Sequence, residues 1–170
     1  MADKALCNSS VSMLRDAMKG KLSGSLNYEP ADATQKWIYK EVIVDAASAA
    51  LLQAGIQYEE NIRADGTETE TGTSDLVKWI AIKHTGTTNG TLATSEGIVV
   101  SLAAAGDGDY NEVEGVFIDS GDLWVGKLPA TTLNTIGAGT VVVTNGSPSA
   151  VGTGDVLVQV AAIIEDIAIP

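Results

Sequence analysis

The stretch DVLVQVAAIIE, Asp155 to Glu165, decides the fold. In a strand, successive side chains point to opposite faces, so alternate residues share a face. One face would carry Val156, Val158, Val160, Ala162 and Ile164, and the other Leu157, Gln159, Ala161 and Ile163. Both faces are nearly apolar, which indicates a strand that lies centrally in a sheet. We expect one face to pack on the core and the other to lie under a loop, the N-terminal helix or a neighbouring subunit.

Further segments with strand composition precede this stretch, and each ends at residues that form turns. They are Lys36 to Val44, Leu76 to His84, Gly97 to Leu102, Val113 to Ile118, Leu123 to Leu128 and Thr140 to Thr144. No helical window separates the strands that follow Leu76. The pattern predicts a mainly β chain that forms an antiparallel β-sandwich or a jelly-roll-like domain. The segment Ala46 to Ala54 fits a helical turn or a weak strand equally well.

The first 32 residues have a different pattern. From Asn8 to Gly20, apolar residues recur at helical spacing behind a possible serine cap, which predicts a short amphipathic helix. The segment Gly20 to Asp32 is rich in Gly, Ser and Pro and has no period, so we predict a connecting arm. The chain is thus expected to divide into an N-terminal helix and arm, residues 1–32, and a β-sandwich domain, residues 33–170.

The net charge of -12 is distributed unevenly along the chain. Residues 1–40 carry six basic and four acidic side chains, whereas residues 85–170 carry one basic side chain, Lys127, and ten acidic ones. A nucleic-acid surface needs clustered cations that replace counterions along the phosphates, so nucleic acid is not an expected partner. The acidic excess fits solubility and repulsion between copies, or docking onto a basic partner.

Signals for targeting and for disulfide bonds are scarce. The N-terminus has an acidic residue among its first four and no long apolar stretch, so we expect no secretory signal and synthesis in the cytoplasm. No apolar run is long enough to cross a bilayer, and a membrane is not an expected partner. The single cysteine, Cys7, excludes an internal disulfide framework and a multi-cysteine metal site.

The search for catalytic groups centres on the one histidine, His84. A histidine that acts as general base needs a nucleophile and an orienting carboxylate nearby, and the sequence places neither beside it. The motifs of serine hydrolases, P-loop proteins, zincins and dinucleotide-binding proteins do not occur. We therefore predict that the protein is not an enzyme, and a hydrolase that uses His84 ranks third among the function classes.

The best candidate for a metal site is the group Asp107, Asp109 and Asn111. Its spacing is that of the start of a calcium loop, which places oxygen ligands on alternate residues. However, Glu112 stands where an EF-hand needs glycine, and Ile118 stands where it needs the bidentate acid. A solvated turn is the expected structure, although an irregular site completed by a nearby glutamate stays open. We predict no metal and no cofactor.

The residues from Ser74 to Asp166 resemble a group of tailed-bacteriophage virion proteins with β-sandwich domains. In that group a strand of the type LVKWIAIKHTGTT, here Leu76 to Thr88, leads through an apolar strand to one that ends in KLP, here Leu123 to Pro129. The resemblance implies a capsid decoration or cement protein of the virion, which is assembled in the host cytoplasm. It also implies binding to the major capsid protein or other virion subunits, and a homo-oligomer, with a trimer favoured by analogy. The alternative is a tail, neck or fibre component with a receptor- or carbohydrate-binding sandwich.

The N-terminal segment is the predicted contact with these partners, because an arm that becomes ordered on docking can bridge subunits. The candidate contacts are apolar or basic: Leu6, Met13, Leu14, Met18 and Leu22, together with Arg15, Lys19 and Lys21. The same residues could instead cover the sandwich of their own chain.

Overall fold

The computed structural model of the chain describes residues 5–12, 21–28, 35–45, 49–52, 75–102, 115–132 and 136–165. The chain forms two compact units, residues 1–31 and residues 32–170. All the regular structure in the described residues is β-strand, and every pair of neighbouring strands is antiparallel. The predicted mainly β, antiparallel class is therefore confirmed.

The N-terminal unit contains a two-stranded antiparallel sheet of β1 (Ala5–Ser12) and β2 (Lys21–Tyr28). The predicted helix from Asn8 is therefore wrong for its first residues, and within the predicted connecting arm from Gly20 residues 21–28 form the strand β2. Asn and Ser side chains compete for backbone hydrogen bonds and disfavour helix interiors, so the helical spacing of the apolar residues does not decide the structure here. Residues 13–20 lie outside the described residues.

The second unit contains two antiparallel sheets. In chain order its strands are β3 (Gln35–Val44), β4 (Ala49–Ala50), β5 (Leu76–His84), β6 (Gly97–Ser101), β7 (Val116–Ile118), β8 (Leu123–Thr132), β9 (Gly137–Thr144), β10 (Ser147–Val151) and β11 (Val156–Glu165). The four-stranded sheet has the order β3-β11-β5-β8. The five-stranded sheet has the order β10-β9-β6-β7, and β4 also pairs with β9.

The predicted central position of the last strand is confirmed, because β11 lies between β3 and β5. Its core face is fully buried: Val156, Val158, Val160, Ala162 and Ile164 expose no surface. They belong to one apolar cluster that draws side chains from both sheets, for example Ile82 of β5 and Val100 of β6. Removal of this apolar surface from water is the main force that stabilises the unit.

A β-bulge changes which residues of β5 face the core. Strict alternation would put Val77 on the same face as Trp79 and Ala81, but the pairing of β5 with both neighbours shifts between Val77 and Trp79. A bulge inserts extra residues into one strand of a pair. Against β11 the extra residue is Lys78 of β5, whereas against β8 the extra residues, 128–130, lie on β8. As a result, Val77 joins the core cluster together with Ile80.

The strand β10 was not predicted from the sequence. It pairs with β9 through a two-residue turn of Asn145 and Gly146, whose φ angles are 54° and 75°. Two successive residues with positive φ form the turn whose twist matches that of a hairpin, and Asn-Gly is the dipeptide that favours it. The signal was therefore present, but Pro148 and the neighbouring serines resembled a loop. In the ambiguous segment Ala46 to Ala54, Ala49 and Ala50 form a strand.

The buried cluster predicts that alanine substitution lowers the free energy of unfolding much more at one isoleucine of the four-stranded sheet than at another. Ile82→Ala should lower the free energy of unfolding by about 2–5 kcal/mol, because it leaves a cavity at a fully buried position. Ile43→Ala removes the same atoms from a side chain that is 53% exposed and should cost less than about 1 kcal/mol. Urea unfolding of both variants measures the difference, and equal losses would contradict this assignment of the core.

Candidate functional site

The candidate site is the face of the four-stranded sheet that points away from the core. We call it the outer face. Its apolar residues are Trp37, Tyr39 and Ile43 of β3, Ala161 and Ile163 of β11, and Leu123 of β8. Glu41, Gln159 and Lys83 lie on the same face and form a polar row that ends at Leu123. These residues alternate along their strands with core residues, so their side chains lie on the opposite side of the sheet.

One end of the outer face is covered by two tryptophans. The register places Ile163 between Trp37 of β3 and Trp79 of β5. The two indole rings lie 6.4 Å apart between centroids at an interplanar angle of 63°, an edge-to-face arrangement that aromatic pairs favour. Ile163 exposes no surface and Trp79 only 7%. The chain's own aromatic residues therefore shelter the most apolar position on this side of β11.

The middle of the outer face combines an aromatic ring with polar groups. Ala161 lies in register between Tyr39 and Ala81, and the Tyr39 side chain is 40% exposed. Gln159 Nε2 donates a hydrogen bond of 2.8 Å to Glu41 Oε1, and Tyr39 Oη donates one of 3.4 Å to the same oxygen. The tyrosine ring thus lies beside two small alanines and next to the hydrogen-bonded pair of Glu41 and Gln159.

The other end of the outer face is aliphatic. Leu157 is half-buried, because the loop after β5 continues alongside it: Thr85 N donates to Leu157 O at 3.1 Å, and Leu157 N donates to Thr87 O at 2.8 Å. Its partner in β3 is Ile43, which is exposed, and Leu123 of β8 is 56% exposed. The exposed apolar surface thus lies on the flanking strands β3 and β8 rather than on β11.

The edge of the sheet beside this face is unfavourable for adding another strand. β3 is an edge strand, and Lys40 lies on its core side, in alternation with Ile38 and Val42. Burial lowers the pKa of Lys40, and its Nζ donates a hydrogen bond of 3.4 Å to Ala50 O. A lysine that points inward from an edge strand discourages pairing with another strand, because pairing would bury its charge further. A partner is therefore expected on the outer face and not on this edge.

His84 is an anchor for the loop that follows β5. It exposes no surface, its Nδ1 accepts a hydrogen bond of 2.9 Å from Gly86 N, and its Nε2 lies 2.9 Å from Glu96 O. Because the carbonyl oxygen only accepts, Nε2 carries the proton and the ring is neutral. Burial lowers the pKa of His84, and the bond to Glu96 and the nearby Asp119 oppose this shift. A general base needs a free lone pair that faces a substrate, and this ring has committed both nitrogens to the backbone.

The Glu96 carboxylate fastens the same region to the loop before β11. It accepts hydrogen bonds from Thr153 N at 3.2 Å and from Gly154 N at 3.1 Å. In the loop itself, Asn89 Oδ1 accepts bonds of 3.1 Å from the backbone N–H groups of Thr91 and Leu92. These contacts hold the loop rigidly at the aliphatic end of the outer face, where Leu157 lies beneath it.

The predicted N-terminal contacts fall into two groups. Leu6 lies in β1 opposite Asn27, and Lys21 and Leu22 lie in β2 opposite Ser12 and Val11. The other candidates, namely Met13, Leu14, Arg15, Met18 and Lys19, lie outside the described residues. The register brings Leu22 next to Val11, and the role of these residues in partner binding stays a prediction.

The exposed residues Tyr39, Ile43 and Leu123 were not singled out by sequence reasoning, although each lies within or at the start of a predicted strand. A signal was available in KWIYKEVIV, residues 36–44, where both alternating sets are largely apolar. The sequence alone did not reveal which set is exposed, because that depends on the pairing of β3 with β11.

No protein-family model, curated protein or solved structure matches this chain. The resemblance to tailed-phage virion proteins therefore stays a prediction. Across the residues that the structure describes, no three His, Cys, Asp or Glu side chains are grouped so as to hold a metal ion, and Asp107, Asp109 and Asn111 lie outside them. No helix within the same part of the chain could span a membrane.

The environment of His84 predicts a loss of stability on mild acidification. The pKa of His84 in the folded chain lies below its ordinary value of 6.5. The unfolded chain therefore binds more protons, and the free energy of unfolding should fall as the pH drops below 6.5 towards the folded-state pKa. His84→Gln cannot titrate and should show a flatter profile in that window. Urea unfolding at several pH values measures both chains, and parallel profiles would contradict the assignment.

Proposed function

We propose that this chain is a non-catalytic structural subunit that decorates a tailed-phage particle. It binds the major capsid protein or another virion subunit and stabilises the shell by adding buried area across subunit junctions. The observation that carries the docking role is the exposure of Tyr39 and Ile43 of β3 and of Leu123 of β8 on the outer face. A polar row of Glu41, Gln159 and Lys83 separates Tyr39 from Ile43 and ends at Leu123. Exposed apolar and aromatic residues beside polar groups are typical of protein interfaces. The tailed-phage particle is proposed because the residues from Ser74 to Asp166 resemble virion proteins of tailed phages.

We further propose that the two sheets form a jelly-roll sandwich. When the β10 hairpin strand is set aside, the eight strands of the second unit, numbered in chain order, have the order 1-8-3-6 in one sheet and 2-7-4-5 in the other. This is the arrangement of two Greek keys in a jelly roll, a fold used by viral capsid and lectin domains. The apolar cluster shared by both sheets supports face-to-face packing. A fold of this kind hosts several functions, so it supports the proposal without deciding it.

The net charge of the second unit supports a partner with a basic surface. The second unit, residues 32–170, has six basic and nineteen acidic side chains, which gives a net charge of -13. On the outer face, Glu41, Gln159 and Lys83 form a polar row across the sheet. The acidic excess of the unit favours approach to a basic shell surface, and the exposed apolar side chains beside this row add buried area once contact is made.

A receptor- or carbohydrate-binding component of a tail or fibre is the second candidate. The favouring observation is the exposed ring of Tyr39 beside the hydrogen-bonded pair of Glu41 and Gln159. A sugar could stack on the ring while its hydroxyl groups bond the carboxylate and the amide. If glycan binding is found and Tyr39→Ala abolishes it, this candidate replaces the decoration role.

The decoration role predicts stoichiometric incorporation into particles of the phage whose genome encodes the chain. Purified chain should co-sediment with particles that lack it, and should raise the temperature at which they release their genome. Ile43→Glu and Leu123→Glu should each weaken binding by at least about tenfold, because a charge would be buried in the contact. The matched control is Val142→Glu, at an exposed valine of β9 in the other sheet. Absence of the chain from particles, or equal binding by all three variants, would reject the role.

A further inference from the structure

We infer that Asn145, in the turn between β9 and β10, is a site of spontaneous chemical modification, at which the next backbone nitrogen converts the asparagine into isoaspartate and aspartate. The sequence contains two Asn-Gly dipeptides, Asn89–Gly90 and Asn145–Gly146. The structure leaves the second one open to this reaction and holds the first one in hydrogen bonds that oppose it.

The reaction joins two groups of the same chain. The Gly146 nitrogen attacks the side-chain carbonyl carbon of Asn145 and loses its proton, and the side-chain amide nitrogen leaves as ammonia. The product is a five-membered succinimide ring. Water then opens the ring at either carbonyl carbon and gives isoaspartate or aspartate, so water is the sole co-reactant. Glycine favours the attack because it has no Cβ to obstruct the approach.

Both reacting groups of the β9–β10 turn are accessible. Asn145 and Gly146 are exposed, and a Cβ added to Gly146 would meet no atom within 4 Å. Within the part of the chain that the structure describes, neither the Asn145 side chain nor the Gly146 nitrogen makes a hydrogen bond. The two groups can therefore meet without breaking a hydrogen bond of their own.

A flip of one peptide plane brings the two groups together. The turn types I′ and II′ both connect two-residue hairpins and both have positive φ at the first central residue, so Asn145, with φ of 54°, already satisfies either type. Glycine at the second central position tolerates both signs of φ. In the type II′ orientation the Gly146 nitrogen lies on the same side of the backbone as Asn145 Cβ. The pairing of Thr144 with Ser147 is compatible with both turns.

The Asn89–Gly90 dipeptide is held in place instead. Asn89 Oδ1 accepts hydrogen bonds of 3.1 Å from Thr91 N, 2.8 Å from Thr91 Oγ1 and 3.1 Å from Leu92 N. The Gly90 nitrogen, which would be the attacking group, donates a bond of 2.9 Å to Thr87 Oγ1. Attack at this site has to break these bonds first, so the fold should protect Asn89.

Modification of Asn145 would act on strand β10. Isoaspartate routes the main chain through the former side chain and lengthens a turn whose twist depends on two central residues of defined conformation. Among the described strands, β10 pairs only with β9, so this turn and this pairing hold it. Either product also adds a negative charge to a unit whose net charge is -13. We expect faster amide exchange in β10 after modification.

Peptide mass spectrometry of the full chain, incubated in mildly alkaline buffer, tests the inference. In the folded chain Asn145 should convert at least about tenfold faster than Asn89, because several hydrogen bonds oppose attack at Asn89. In urea the two sites should convert at similar rates, because the sequence then acts alone. Thr87→Val removes the acceptor of the Gly90 nitrogen and should speed conversion of Asn89 while that of Asn145 stays unchanged.

Asn145→Gln is the matched control at the turn, since its longer side chain disfavours the five-membered ring. It should suppress conversion at this position and leave that of Asn89 unchanged. Equal rates at the two asparagines in the folded chain, or faster conversion of Asn89, would overturn the inference. Conversion of Asn145 that occurs in urea but not in the folded chain would overturn it as well, because the turn would then protect the site.

Discussion

Coverage of both faces of β11 is the constraint on which the rest of the structure depends. Its core face carries fully buried valine, alanine and isoleucine side chains, and its other face carries Ile163 beneath Trp37 and Trp79. A slip of one residue in either neighbouring pairing would turn the buried residues of β3 or β5 outward, so burial of Ile38 and Val44 in β3 and of Ile80 and Ile82 in β5 fixes the register. That register decides which residues of the flanking strands remain exposed, and therefore where the outer face lies.

The loop after β5 is held by buried hydrogen bonds, whereas the outer face of the same sheet exposes apolar side chains. His84 and Glu96 use their polar groups on backbone partners, which fixes the loop beside Leu157. Lys40 disfavours pairing at the β3 edge of the sheet, and the outer face beside this edge exposes Tyr39 and Ile43. The described residues thus combine a closed core with a sheet face that exposes Tyr39, Ile43 and Leu123, and both ring nitrogens of the buried histidine are engaged by the backbone.

The sequence predicted the strands best where alternation and composition agreed. The bounds of Leu76 to His84 and the central position of β11 followed from apolar residues on both faces. At the N-terminus, apolar residues happened to recur at helical spacing, and pairing between β1 and β2 overrode that pattern. The bulge at Lys78 and the exposure of Ile43 depend on contacts between distant strands, which local periodicity does not contain.

The most direct test of this account is amide hydrogen exchange of the full chain at increasing protein concentration. Backbone amides of β11 should be strongly protected throughout, because their protection comes from pairing on both sides within one chain. Amides of β10, which pairs only with β9 among the described strands, should exchange faster than those of β11. Protection of β11 that is no stronger than that of β10, or that appears only at high protein concentration, would contradict the account.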